Sequence, residues 1–199
     1  MEIPGAGGGW TLLAVEGLRF DGETADLGGA FGRGGIRRLG DVVIRPYRRG
    51  GMVRHVNDRT YPSQRRFIQE LEIHRRLHAA GFPTVEPLGC AWRRHRWGVE
   101  GLYFSRFDPA TPWPRAWDRS GEVLPALRQA LDALAAWGLH APDLNATNVL
   151  LPSAGGIVLL DWDRAAFRKS VGLAAAYAAR LGRSLARLGA PEGILSQLR

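Results

Sequence analysis

The sequence predicts an α+β fold in two lobes, residues 1–107 and residues 108–199, and three observations support this division. Short apolar runs bounded by Gly and Pro alternate with segments in which apolar residues recur at helical spacing. A Pro-rich segment at residues 108–114 separates two groups of such elements, and the composition changes after it. The chain has 199 residues and a hydrophobic fraction of 45%, which is enough to bury a core.

The first lobe combines strands with one long helix. Its first 30 residues are rich in Gly and show little patterning. Farther on, β-branched residues between turn signals predict strands, and near-helical spacing that stops at Gly81 and Pro83 predicts a helix. The predicted elements of this lobe are a strand at residues 41–45, a helix at residues 64–80, and strands at residues 85–90 and 97–107 joined by a basic turn at residues 93–96.

The second lobe begins with the Pro-rich segment, which we interpret as a hinge or linker. Four leucines on one face, from Leu124 to Leu134, then predict a helix that ends before Gly138. Two short apolar runs, residues 149–151 and 157–160, predict a β-hairpin. A last helix is expected to carry the apolar residues from Leu173 to Leu188.

The composition excludes several classes of protein. A single cysteine, Cys90, excludes an intramolecular disulfide framework, and we interpret it as a buried small apolar residue. The start of the chain lacks a signal-peptide pattern, and its apolar stretches stop well short of the ~18 to 20 residues of a membrane helix. We therefore expect a cytoplasmic protein.

The basic excess is almost entirely arginine. The formal net charge is +8, and Lys169 is the only lysine. Arginines cluster between residues 33 and 59 and again at residues 93–96. Such a concentration of positive charge favours binding of phosphates, anionic lipid head groups or nucleic acid. An arginine-rich surface exposed only to solvent explains the charge equally well.

Three side chains in the second lobe carry the chemical signal. Asp143 and Asn148 are five residues apart, and Asp161 stands at the end of the second strand of the predicted hairpin. Phosphoryl transfer from ATP needs a carboxylate that faces the acceptor hydroxyl and oxygen ligands for magnesium, and this pattern supplies both. The alternative is that these residues only cap turns, as Asp and Asn often do.

Around these residues the sequence resembles the bacterial lipopolysaccharide kinases, in particular those that phosphorylate 3-deoxy-D-manno-octulosonic acid (Kdo). The resemblance extends from about Phe31 to Leu188. It rests on the segments at residues 32–35, 44–51, 66–70, 81–83, 143–148, 161–164 and 181–185. The most specific of these are Asp-Leu-Asn-Ala at residues 143–146 and Tyr-Arg-Arg-Gly-Gly at residues 47–51.

The resemblance implies a protein-kinase-like fold with a small, minimal second lobe. It implies ATP-dependent phosphorylation of a Kdo hydroxyl, with the 4-hydroxyl expected, in the lipid A-linked inner core of lipopolysaccharide. By position, Asp143 resembles the catalytic base, and Asn148 and Asp161 resemble the magnesium ligands. Asp163 is a further candidate near the metal, and Asn145 occupies the place of a catalytic-loop lysine.

The resemblance also assigns residues of the first lobe. Arg45 follows a β-branched run where a kinase strand presents a lysine to the phosphates, and Glu70 is its expected carboxylate partner. An exposed strand-end cation is an equally good interpretation of Arg45, and Glu72 is a rival for Glu70. The backbone N–H groups of a Gly-rich loop are expected to cover the phosphates. The loop glycines are Gly32, Gly34 and Gly35.

The expected partners are Kdo-lipid A and the anionic cytoplasmic face of the bacterial inner membrane, with the chain bound peripherally. Alternatives stay open at this point. One is a kinase of another core sugar, such as heptose, or of another small molecule. A second is a pseudokinase that binds nucleotide or lipid, because Ala141, Pro142 and Thr147 depart from the family pattern. A nucleic-acid binder would explain the charge, but no nucleic-acid motif is present and no specific nucleic acid is expected.

Overall fold

The computed structural model describes residues 3–4, 6–28, 35–48, 59–168 and 171–197. The chain divides into two compact units. Residues 1–75 and 86–107 form the first unit, and residues 76–85 and 108–199 form the second. The secondary structure is mixed, and the strands named below pair antiparallel.

The first unit is built on a six-stranded sheet with the strand order β1-β5-β6-β4-β3-β2. Its strands are β1 Thr11–Ala14, β2 Thr24–Asp26, β3 Arg37–Leu39, β4 Val42–Pro46, β5 Pro87–His95 and β6 Gly98–Arg106. The long hairpin β5–β6 lies at the centre, and β4 pairs with β6 so that Arg45 lies opposite Tyr103. The strand predicted at residues 41–45 is present as β4, and the strands predicted at residues 85–90 and 97–107 correspond to β5 and β6. The basic turn predicted at residues 93–96 is wrong in its extent, because pairing with β6 continues β5 to His95.

Helix α1, Arg65–Ala79, covers one face of this sheet. Its buried residues Phe67 and Leu71 pack in one cluster with Cys90 and Tyr103 of the central hairpin. Gly101 of β6 allows the close approach, because a Cβ atom there would come within 2.6 Å of the Phe67 ring. The other face of the sheet carries a second cluster, which includes Ile44, Leu88 and Phe104, and Ile3, Trp10 and Phe20 cover it.

The end of α1 shows why its sequence signal was accurate. Gly81 has a φ of +72°, in the left-handed region that favours glycine. The N–H groups of Gly81 and Phe82 donate to the carbonyls of His78 and Leu77, at 3.0 Å each. This paired arrangement is a Schellman motif, which satisfies the last carbonyls of a helix.

Within its described residues, the second unit contains three α-helices and two small sheets. Its helices are α2 Ser120–Ala136, α3 Leu173–Arg187 and α4 Glu192–Ser196. Its strands are β7 Ala110–Pro112, β8 Leu139–His140, β9 Val149–Pro152, β10 Val158–Leu159 and β11 Ala166–Phe167. The sheets have the orders β10-β9-β7 and β11-β8, and the predicted hairpin is the pair β9–β10.

Several expectations from the sequence need correction. The weakly patterned residues 1–30 contain β1 and β2, because pairing with β5 and β3 stabilises strands whose own pattern is weak. The Pro-rich segment at residues 108–114 is not a plain linker, since it contains β7, which pairs with β9. The pair β8–β11 and the short helix α4 were not predicted. None of the described helices has the length and hydropathy that crossing a membrane requires.

Candidate active site

The loop from residue 141 to residue 148 is organised around the main-chain carbonyl of Asp143. The side-chain amides of Asn145 and Asn148 both donate to this carbonyl, at 2.8 and 3.0 Å. Asn145 also caps a 3-10 turn, Ala146–Asn148, by accepting a bond from the Thr147 N–H at 2.9 Å. The Thr147 hydroxyl donates to the same Asn145 oxygen. Asn145 and Thr147 therefore shape the loop, and the amide bonds hold Asn148 against the Asp143 backbone.

The hairpin β9–β10 returns the chain to this loop. Leu159 lies opposite Val149, and the N–H of Leu160 donates to the Asn148 carbonyl at 2.9 Å. Asp161 is the next residue after this bond. Asp143, Asn148 and Asp161 therefore lie on two segments that hydrogen bonds join at Asn148.

Asp161 has an unusual backbone conformation. Its φ is +69°, and among the described residues it is the only non-glycine in the left-handed region. This conformation costs an aspartate of the order of 1 kcal/mol, and such strain often marks functional sites. Asp163 follows two residues later and is 8% exposed, and the Ala165 N–H closes a turn onto the Trp162 carbonyl at 3.0 Å. Both acidic side chains thus belong to one constrained turn.

Trp162, between the two aspartates, anchors this turn in the core of the second unit. It is 1% exposed, and its indole N–H donates to the Thr84 hydroxyl at 3.0 Å. Thr84 in turn donates to the Leu159 carbonyl at 2.9 Å, and the Leu159 N–H donates to Pro83 at 2.8 Å. The Phe82 ring packs edge-on against Trp162, with 5.7 Å between the ring centres. Residues 82–84 therefore support the Asp161 turn. Sequence reasoning missed this support because the two segments are 75 or more residues apart.

Helix α3 supports the loop from the other end. The Tyr177 hydroxyl accepts a bond from the Ala141 N–H at 3.2 Å and donates to the Leu139 carbonyl. The Ser184 hydroxyl accepts a bond from the Ala146 N–H at 3.2 Å and is buried. The sequence placed Tyr177 on the apolar face of this helix but gave no role to either hydroxyl. Their spacing of seven residues, two helical turns, is the signal that would have placed them on one face.

A cation lies beside the candidate base. Arg164 Nη1 is 3.6 Å from Asp143 Oδ1, and the Arg164 side chain is 60% exposed. Arg164 ends the segment 161–164 on which the family resemblance rests, but the resemblance assigned it no role. His140, also close to the loop in sequence, lies in β8 and is half-buried.

In the first unit, the structure brings Arg45 and Glu70 together. Arg45 Nη2 lies 2.5 Å from Glu70 Oε1, and the two side chains are 18% and 1% exposed. The rival Glu72 is exposed on α1. The Arg45 guanidinium also lies over the rings of Tyr47 and Tyr103, at 5.2 and 5.3 Å from their centres. Arg45 is thus a held, largely buried cation and not a mobile strand-end charge.

Two buried tyrosines, Tyr47 and Tyr103, surround this ion pair. Burial, and after it the negative charge of Glu70, raises the pKa values of Tyr47 and Tyr103 well above their ordinary range. The Tyr103 hydroxyl also lies 2.6 Å from His74 Nδ1 on α1, and His74 is 3% exposed. The two phenols therefore remain protonated around the buried carboxylate.

The predicted Gly-rich loop falls only partly within the described residues. Gly32 and Gly34 lie outside them. Gly35 has a φ of +91°, and a Cβ atom there would lie 3.1 Å from Arg48 Nη2. Its backbone thus has the conformation for which glycine is suited, beside a guanidinium.

The donor chemistry of the second unit suits magnesium bound to a nucleotide. Within the described part of the chain, no group of three or more His, Cys, Asp or Glu side chains is placed to hold a metal ion. Magnesium bound with substrate phosphates needs only one or two carboxylates and oxygen ligands such as an amide. Asp161 and Asn148 provide such a pair, and the Asn148 amide nitrogen is already engaged by Asp143. The donor types of these two side chains therefore match those that magnesium takes.

The amino-acid sequence is similar to those of several curated proteins. No family model matches the chain. A 3-deoxy-D-manno-octulosonic acid kinase of Xylella fastidiosa strain M23 is 30% identical over 146 residues, covering 65% of this chain and 55% of the relative. A protein of the same name from Xanthomonas campestris pv. campestris strain B100 is 30% identical over 155 residues, covering 69% of this chain and 59% of the relative. The chain therefore spans little more than half the length of these curated relatives, and its predicted resemblance to the Kdo kinases is confirmed.

A solved structure is also similar to part of the chain. The bifunctional kinase-methyltransferase WbdD matches with a TM-score of 0.46 and 17% sequence identity, over 67% of this chain and 30% of that protein.

Proposed function

We propose that this chain is an ATP-dependent kinase with a two-lobed, protein-kinase-like fold that phosphorylates a hydroxyl of Kdo. The observation that carries the proposal is the hydrogen-bonded arrangement of the loop and hairpin that hold Asp143, Asn148 and Asp161. The curated relatives, which are named for Kdo kinase activity, agree with it. The acceptor is expected to be the 4-hydroxyl of Kdo in the lipid A-linked inner core of lipopolysaccharide.

Asp143 is the candidate base. It accepts the proton of the acceptor hydroxyl as the hydroxyl oxygen bonds to the γ-phosphorus and ADP leaves. The loop bonds to its carbonyl fix its backbone, and Arg164 is a cation at 3.6 Å from its carboxylate. A fixed carboxylate holds the acceptor oxygen in line for attack.

Asn148 and Asp161 are the candidate magnesium ligands, and Asp163 is a further acid in the same turn. Magnesium held by these residues would supply positive charge against the negative charge that develops during transfer. The positive φ of Asp161 and the Trp162 hydrogen bond constrain the backbone that carries the Asp161 carboxylate.

Arg45 is the candidate phosphate-binding cation of the first unit, with Glu70 as its positioning partner. An arginine at this place keeps its charge at all working pH values and presents a planar fork that can hold two phosphate oxygens. The contact of 2.5 Å with a nearly fully buried carboxylate holds that fork in one orientation.

The test is transfer of labelled phosphate from ATP to Kdo-lipid A, followed by mass measurement of the product. Asp143→Asn should lower the turnover rate about 10²- to 10⁴-fold, the usual contribution of a general base. Asp132→Asn is the matched control, since Asp132 is exposed on α2, and it should keep full activity.

Three results would contradict parts of the proposal. Full activity of Asp143→Asn would remove Asp143 from the mechanism. Transfer to a heptose acceptor but not to Kdo would change the substrate. Magnesium-dependent ATP binding without any product would indicate a pseudokinase.

A further inference from the structure

The tip of the β5–β6 hairpin is an exposed cluster of basic and aromatic side chains. Four consecutive residues, Arg94, His95, Arg96 and Trp97, lie at the surface there. Trp97 is 75% exposed, far more than the 42% of Trp137. Trp is enriched at protein interfaces and at membrane surfaces, where the apolar ring is covered and the N–H stays in a polar environment. We call residues 94–97 the hairpin tip.

The charge of the hairpin tip is not neutralised by nearby acids. Arg94 bonds to the neutral amide of Gln64 at 3.2 Å, and Arg96 lies over the Trp97 ring at 5.0 Å from its centre. The acid next along β6, Glu100, is occupied by Arg93 at 2.5 Å. Among the residues the structure describes, Arg94 and Arg96 form no ion pair, so both charges remain for a partner.

The hairpin tip is held in place by the chain that precedes α1. The N–H of Tyr61 donates to the Val99 carbonyl at 2.7 Å, and the Val99 N–H donates to the Tyr61 carbonyl at 2.8 Å. His95 Nε2 lies 3.3 Å from the Thr60 hydroxyl, and His95 Nδ1 accepts a bond from the Trp97 N–H at 3.4 Å. The cluster is thus part of a braced corner of the sheet. Binding would cost less ordering entropy than for a free loop.

We propose that the hairpin tip is a docking surface for an anionic lipid bilayer, with Trp97 entering the head-group region and Arg94 and Arg96 contacting lipid phosphates. Trp is favoured at a membrane interface because its ring is apolar while its N–H is polar. Each cation near an anionic bilayer adds favourable binding energy that salt screens. The inference rests on the proposed function, whose acceptor sugar is linked to lipid A, and its test needs neither ATP nor an acceptor sugar.

A bilayer fits this surface better than nucleic acid. Single-stranded nucleic acid is held by a basic groove with several aromatic rings on which successive bases stack. Here one ring stands at the end of a two-stranded hairpin, with its nearest cation stacked on it. A single projecting ring flanked by arginines is the pattern of an interfacial anchor.

The experiment measures co-sedimentation of the whole chain with phosphatidylcholine vesicles, with and without phosphatidylglycerol. Binding is expected only when phosphatidylglycerol is present. Arg94→Gln and Arg96→Gln should each weaken it about fivefold. Trp97→Ala should weaken it at least about fivefold, which is equivalent to removing about 40 Å² of apolar contact with lipid, and Trp97→Phe should retain most of it. Raising the salt from about 0.1 M to about 0.5 M should release the chain.

Matched controls distinguish this surface from general basicity. Trp137→Ala and Arg168→Gln remove an exposed ring and an exposed arginine of the second unit, and both should bind vesicles as the unchanged chain does. A cooperative thermal unfolding transition verifies that each variant is folded. Unchanged binding by Trp97→Ala, a loss with Trp137→Ala in its place, or binding to duplex DNA but not to vesicles would overturn the proposal. Because kinase turnover is not measured, its failure leaves the proposed function to its own test.

Discussion

At the scale of single residues, the Thr84 hydroxyl forms two hydrogen bonds beside the candidate site. It accepts a bond from the Trp162 indole at 3.0 Å and donates one to the Leu159 carbonyl at 2.9 Å. These two groups lie on either side of Asp161 in the chain. One hydroxyl therefore joins the end of β10, by a hydrogen bond to each, to the turn that carries Asp161 and Asp163.

We predict that Thr84→Val destabilises the chain and weakens its use of magnesium. The valine keeps the shape but leaves the buried Trp162 N–H without this acceptor, at a cost of about 1–3 kcal/mol in the free energy of unfolding. The magnesium concentration for half-maximal activity should rise, because the Asp161 turn loses an anchor. Thr84→Ser, which keeps the hydroxyl, is the control and should lie close to the unchanged chain in both measurements. A Thr84→Val chain with unchanged stability and magnesium dependence would show that the hydroxyl anchors nothing.

Cys90 is predicted to be chemically silent in the folded chain. It is fully buried, and burial, together with the Glu70 charge, raises its pKa to about 12, with Arg75 opposing this shift. The thiolate is the reactive form, so a disulfide reagent at pH 8 should label the chain only after guanidinium is added. Labelling of the native chain at the rate of a free thiol would contradict this.

The raised pKa of Cys90 also makes the stability of the fold depend on pH. Because the folded pKa lies above that of the unfolded chain, the folded state keeps a proton that the unfolded state loses. The contribution of Cys90 to stability is therefore complete below the unfolded pKa and is lost as the pH rises toward 12. Cys90→Ala should reduce the fall in the free energy of unfolding over this alkaline range. Denaturant titrations at neutral pH and above pH 9 test the difference.

At the scale of elements, glycines at two places should respond to alanine with opposite signs. Gly81 has a positive φ of +72° with open space around its missing Cβ, so Gly81→Ala adds backbone strain without a clash. We expect a loss of about 1 kcal/mol in the free energy of unfolding. Gly182 lies inside α3, and a Cβ atom added there would meet no other atom within 4 Å, so Gly182→Ala should stabilise by about 0.5–1 kcal/mol. Denaturant unfolding of both variants tests the pair. If both substitutions raise, or both lower, the free energy of unfolding, the roles given to these two glycines are wrong.

The elements that could be predicted from the sequence are those with local signals. Helix α1 has a periodic apolar face and a glycine stop, and β9–β10 is a short hairpin between apolar runs. The elements that could not be predicted depend on distant partners. Strand β1 pairs with β5 far along the chain, and β7 gains its pairing from β9 in spite of its proline. A strand of three or four residues has too few positions to show a period of its own.

In the candidate site, too, the local features could be predicted from the sequence and the long-range contacts could not. The loop spacing and the hairpin between Asn148 and Asp161 were sufficient to predict that these two residues lie on joined segments. The supporting hydroxyls of Thr84, Tyr177 and Ser184 come from segments 36 to 78 residues away from the groups they contact. Hydroxyl residues are common on every surface, so only tertiary structure identifies the ones that support a loop.

At the scale of the whole molecule, the chain passes between the two compact units more than once. Residues 76–85, from the last turn of α1 onward, belong with residues 108–199. Pro83 and Thr84 bond to Leu159, and Phe82 packs against both Trp137 and Trp162. A cut at residue 107 would therefore remove from the second unit a segment that covers Trp162.

We predict that residues 108–199 alone do not fold cooperatively, whereas the same residues joined to residues 76–85 do. A short Gly-Ser linker can replace residues 86–107, because the Arg106 N–H donates to the Glu86 carbonyl at 2.9 Å and the two ends of that segment are neighbours. The joined chain should show a sigmoidal thermal transition and a buried Trp162 by fluorescence, and the shorter one a gradual transition. As a control, Phe82→Ala with Thr84→Val in the joined chain should return it to the gradual behaviour, since the segment acts through these contacts. If both chains unfold alike, residues 76–85 are not part of the cooperative unit.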